Sequence, residues 1–127
     1  MTRHTFRTPL ARARGLGSAR SGAGHWWAQR ITAVALVPLT LWFLVSFAQL
    51  IRTDHAAFVD WLRLPPNAVL MIMFVIIMFH HAALGLRTIA EDYLHDDFVR
   101  VSALVILPIV SLFLAITSIV AIIRVLS

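Results

Sequence analysis

Three long apolar stretches, separated by two short charged segments, constrain this chain more than anything else in it. They lie at about residues 31–51, 68–91 and 101–125, and each approaches the ~20 residues that carry a helix across a hydrocarbon core. In lipid every backbone N–H and C=O must find a partner inside the protein, so such stretches are helices. The expected fold is all-α, an integral membrane bundle of three transmembrane helices. Composition excludes a soluble fold: 60% of the 127 residues are apolar and 13% are charged, which would leave large apolar patches facing water. There is no cysteine, so the chain itself holds no disulfide, iron–sulfur cluster or reactive thiol.

The charges then orient the spans. All eleven cationic side chains are arginine, six of them at or before Arg30, and no acid appears before Asp54. Residues 1–24 read as a polar, basic surface tail. The segment His25-Trp26-Trp27-Ala28-Gln29-Arg30 that follows mixes aromatic and cationic groups, as suits a lipid headgroup boundary. Residues Arg52–Pro66 read as a polar connection, ending in two prolines that suit the first turn of the second helix. His95–Arg100 reads as a short acidic loop. Arginines 3, 7, 12, 14, 20, 30, 87 and 100 fall on one side of a three-span chain, and only Arg52, Arg63 and Arg124 on the other. The positive-inside bias places the N-terminus in the cytoplasm of a bacterium, with the spans in its inner membrane. An arginine-rich, acid-free start also suits a mitochondrial transit peptide, which would put the chain in the mitochondrial inner membrane. A tail that leads straight into a span speaks for membrane lipid, with no nucleic-acid partner expected.

Inside the spans the ionisable side chains that matter are His80 and His81, in the second. Such a group is expensive in lipid and is a functional candidate by default. It serves either as a neutral donor in an interhelical hydrogen bond or as a ligand to a metal or haem iron. Adjacent residues on a helix point about 100° apart, so the pair cannot grip one iron. The first and third spans contain no histidine. This chain can therefore offer one axial ligand, and a bis-histidine haem would need a partner subunit for the other. Leu84, Gly85, Thr88 and Asp92 continue the His81 face at i+3, i+4, i+7 and i+11. Gly85 either clears room for a flat macrocycle or lets two helices pack closely. Asp92-Tyr93 lies about 16 Å further along the helix axis. A tyrosine beside a carboxylate can hydrogen-bond a quinone oxygen and deliver protons, or simply anchor the helix at the interface. Arg30, on the same side, suits a haem propionate, a partner's carboxylate or a lipid headgroup.

Two stretches resemble a known family. His81-Ala82-Ala83-Leu84-Gly85-Leu86-Arg87-Thr88-Ile89-Ala90-Glu91-Asp92-Tyr93 is similar to the second-helix signature of the small hydrophobic membrane-anchor subunits of succinate dehydrogenase (respiratory complex II): His, three residues to Gly, then Asp-Tyr. The stretch from Gly17 to Ala33 resembles the start of the first helix in the alphaproteobacterial form of that family. The resemblance implies that His81 is one axial ligand of a haem b whose other ligand comes from a larger cytochrome b-type anchor subunit. It implies that Tyr93 donates to ubiquinone with Asp92 beside it, and that Arg30 and His25 lie near the haem propionates. It gives His80 no role. Flavoprotein and iron–sulfur subunits would dock on the cytoplasmic side, and the chain alone would catalyse nothing. Two other readings stand beside this one: an anchor of a fumarate reductase or other b-type cytochrome complex, and a structural membrane adaptor without a cofactor.

Overall fold

The computed structural model describes residues 20–127 and contains four helices: α1 (Arg20–Leu50), α2 (His55–Arg63), α3 (Pro65–Tyr93) and α4 (Asp97–Leu126). Arginines 3, 7, 12 and 14, and residues 1–19 of the expected tail, lie outside the described residues. Three of the helices, over Gly22–Leu50, Pro65–Tyr93 and Asp97–Leu126, are long and apolar enough to cross a membrane. At ~1.5 Å per residue each is roughly 43–45 Å long, more than the ~30 Å hydrocarbon core, so their ends reach into the headgroup layers.

The helices begin and end where local chemistry dictates. α1 is already helical at Arg20 and passes unbroken through Pro38, so the rod starts well before Ile31. Extending an existing helix adds one hydrogen bond per residue ordered, which carries it outward from the span. Pro65 and Pro66 occupy the first turn of α3, where a missing N–H costs nothing. The Asp96 side chain caps α4 by accepting from the Val99 N–H at 3.0 Å. Asp97 adds an acid to its first turn, matching the positive end of the helix dipole.

The first connection differs from its expected form. Residues 55–63 fold into the amphipathic helix α2, whose N-cap Asp54 accepts from the Ala57 N–H at 2.9 Å. Phe58, Trp61 and Leu62 share one face at helical spacing, and Leu62, 2% exposed, is the most deeply buried large side chain among those described. Trp61 stacks on Trp42 of α1 with ring centroids 5.7 Å apart, and its carbonyl accepts from Asn67 Nδ2 at 2.8 Å. The connection is thus a lid that locks α1 to the start of α3.

α3 is the central element, packed against α1 on one side and α4 on the other, with α2 against α3 and α4. In the most apolar stretch of each span only 11%, 6% and 6% of residues are buried. Three helices in this arrangement form a sheet-like layer without an enclosed core. Large side chains such as Phe98 (82% exposed) and Phe113 (64%) must be covered by lipid or by other hydrophobic subunits.

Candidate functional site

The two histidines of α3 face different neighbours. His81 turns toward α1, where its Nδ1 lies 2.9 Å from Thr32 Oγ1. His80 is exposed and lines the groove between α3 and α4, beside Pro108, Ser111 and Ala115. The ~100° step between consecutive residues produces this split. His81 is half-buried, and its Nε2 makes no hydrogen bond with the described residues. An axial ligand needs an imidazole that is held at one nitrogen and open at the other, and His81 meets that condition. No cluster of three or more metal-ligating side chains occurs among the described residues, so a metal here would need donors from elsewhere.

One turn away, Gly85 faces Gln29 of α1. A Cβ built on Gly85 would stand 3.4 Å from Gln29 Nε2, an ordinary contact that a larger side chain would turn into a clash. Of the two readings open for this glycine, the contact within this chain is close helix packing. The Gln29 side chain therefore fills the seam between α1 and α3. Its Oε1 is buried and finds no donor among the described residues, so a donor from beyond them would relieve a penalty of about 1–3 kcal/mol.

Towards the start of α1 the seam opens into a cleft of about 440 Å³ lined by Gly22, His25, Trp26, Gln29, Leu84, Arg87, Thr88 and Glu91. Its polar wall includes an Arg87 Nε–Glu91 Oε1 pair at 2.9 Å. His25 and Gln29, four residues apart, face this cleft together. Arg30 does not line it but lies with its guanidinium carbon 4.3 Å from the centroid of the ring of Trp26, which does, a cation–π contact. Asp92 and Tyr93 sit on the exposed end of α3, Tyr93 at 74% exposure, and neither side chain forms a hydrogen bond or ion pair with the described residues. The single chain thus joins His81 to Thr32, places His25 opposite Arg87 and Glu91, and leaves Arg30, Asp92 and Tyr93 presented outward.

Thr32, Gln29 and the Arg87–Glu91 pair were not singled out for these roles from sequence. The signal available for Thr32 was weak but real: a histidine buried in lipid needs a polar partner, and α1 contributes few polar side chains to its span, Thr32, Thr40, Ser46 and Gln49.

Known membrane-anchor subunits are similar to this chain over most of its length. A succinate dehydrogenase hydrophobic membrane anchor subunit of Rickettsia bellii (strain RML369-C) is 32% identical over 120 residues, 94% of this chain and 95% of that protein. The subunit of the same name from Paracoccus denitrificans is 36% identical over 86 residues, 68% of this chain and 67% of the relative. A succinate dehydrogenase membrane anchor subunit of Reclinomonas americana is 27% identical over 96 residues, covering 73% and 80%. Residues 4–117 match the family described as succinate dehydrogenase/fumarate reductase transmembrane subunit. With three membrane-crossing helices and a match spanning nearly its whole length, this chain belongs to the succinate dehydrogenase/fumarate reductase transmembrane subunit family.

Proposed function

We propose that this chain is the hydrophobic membrane anchor of a succinate dehydrogenase (succinate:ubiquinone oxidoreductase) in a bacterial inner membrane, with its N-terminus in the cytoplasm. The observation that carries the reading is His81, fixed to α1 through Nδ1 and open at Nε2, in the middle helix of a family member. In this role His81 provides one axial ligand to a haem b, and a larger cytochrome b-type anchor subunit provides the other. When bound, the haem supplies a one-electron carrier inside the low-dielectric bundle. Arg30, with five guanidinium donors presented outward, is suited to a propionate, and His25 lines the neighbouring cleft. The Tyr93 hydroxyl donates to a carbonyl oxygen of ubiquinone at the membrane rim, and the Asp92 carboxylate beside it passes protons from the water side. Flavoprotein and iron–sulfur subunits dock on the same side, and the exposed apolar faces of the helices meet the partner anchor and lipid.

An anchor of a fumarate reductase remains the alternative within the family, which covers both activities. The relatives at 32% and 36% identity carry the succinate dehydrogenase name, and this favours the first reading. The test is His81→Ala in the whole complex, purified with its partner subunits. Reduced-minus-oxidised spectra should lose the b-type signal. An unchanged spectrum would rule out His81 as the ligand and leave the cofactor-free adaptor as the better description.

A further inference from the structure

The hydrogen bonds around Thr32 decide more than the position of His81. Thr32 Oγ1 lies 2.7 Å from the Ala28 carbonyl oxygen, 3.1 Å from that of Gln29 and 2.9 Å from His81 Nδ1. A threonine hydroxyl carries one hydrogen. Two oxygens 2.7 Å apart repel unless a proton lies between them, so this hydrogen is directed at the carbonyls of its own helix. That leaves Oγ1 with only lone pairs to offer the imidazole. The 2.9 Å contact then needs its hydrogen from Nδ1. In the neutral ring a proton on Nδ1 leaves Nε2 bare, with its lone pair available.

We infer that Thr32 is a positioning residue that holds His81 as the Nδ1–H tautomer and so prepares Nε2 to ligate a haem iron, a role that rests on the function proposed above. The order of donors runs His81 Nδ1–H to Thr32 Oγ1–H to the Ala28 carbonyl. Each donor in such a chain polarises the next. Pulling on the Nδ1 hydrogen strengthens electron donation from Nε2 to a bound metal, as partners of ligating histidines do in metal sites. A stronger donor favours the ferric state of the iron, so the contact lowers the midpoint potential. The same contact crosses from α3 to α1, so the ring orientation is set by the packing of two helices and not by the α3 backbone alone. A bridge that only held the helices together would have no influence on the iron.

The experiment compares Thr32→Val, Thr32→Ser and His81→Ala in the complete complex, reading the midpoint potential of the b-type haem and the rate of haem loss to an excess of an apo-haem acceptor protein. Thr32→Val keeps the shape and removes the acceptor. Its midpoint should rise, where a tenfold change in the ferric-to-ferrous ratio reads as about 59 mV, and haem loss should quicken by about tenfold. Thr32→Ser restores the oxygen and should return both values toward the wild type. If the valine variant does not assemble, Thr32→Ala against Thr32→Ser decides on the same two readouts. Wild-type potential and haem retention in the hydroxyl-free variant, with His81→Ala still abolishing the spectrum, would overturn the role of Thr32 while sparing His81 as ligand. A normal spectrum in His81→Ala would instead overturn the ligand assignment, and the role of Thr32 with it.

Discussion

At the α2 end of the layer, Trp61 stacks on Trp42, Phe74 stacks on Phe43 at 4.8 Å, and Leu62 of α2 is buried. Further along the same seam, near the middle of α1 and α3, the helices are joined through a histidine–threonine bond and a glutamine laid over a glycine, and beyond these, where α1 begins and α3 stops, lies an open cleft with a polar wall. The same two helices meet through aromatic stacking towards α2 and through directed polar contacts further along. Apolar packing gives stability without direction, whereas hydrogen bonds aim particular atoms. The molecule therefore places its aromatic stacking towards α2 and its directed polar contacts further along α1 and α3.

The sharpest way to break this comparison is at Tyr93, which the contrast assigns to chemistry alone. Being 74% exposed, its hydroxyl contributes nothing to packing in this chain, so Tyr93→Phe should assemble normally. Quinone reduction should fall by about a hundredfold or more, while succinate oxidation with an artificial acceptor persists. Equal rates with quinone would remove Tyr93 from the site.

Leu62→Ala tests the opposite end. Cutting a 2% exposed leucine to alanine should cost about 2–5 kcal/mol, read as a lower melting temperature of the detergent-purified complex with the haem spectrum unaltered. Loss of the spectrum at equal stability would show that the two ends are not separable.

Gly85 sharpens the boundary between them. Gly85→Ala places a methyl group at ordinary contact with Gln29 and should change melting little. Gly85→Leu overfills the seam and should cost about 1–3 kcal/mol, while also perturbing the His81–Thr32 contact one turn away. A leucine variant with native stability and spectrum would mean the seam is slack. The smallest effect is expected from Glu91→Gln, because the Arg87–Glu91 pair is 46% exposed on both sides. Stability should drop by about 0.3–0.5 kcal/mol, and a shift above 1 kcal/mol would show that partner subunits bury the pair.

Much of this molecule is legible from sequence for one reason: lipid permits few folds. The three apolar stretches dictate three helices because no other open segment satisfies its backbone in hydrocarbon. The separation of His80 from His81 follows from helical pitch alone. The α2 helix was less legible, since its nine residues carry two charges beside Phe58, Trp61 and Leu62, and a short amphipathic pattern among polar residues reads as a loop. Its N-cap, Asp54, was the signal that went unused.

The sequence alone thus determined the number of spans and the placing of two adjacent histidines inside the second, because composition and periodicity suffice for each. Only the tertiary structure decided which way His81 turns, that Thr32 takes its Nδ1, that Gly85 receives Gln29, and that Arg30 leans on Trp26 while His25 faces the cleft. Those choices depend on the rotation of α1 against α3. No pattern within one helix encodes that rotation, since it is set by which side chains of the other helix fill the seam.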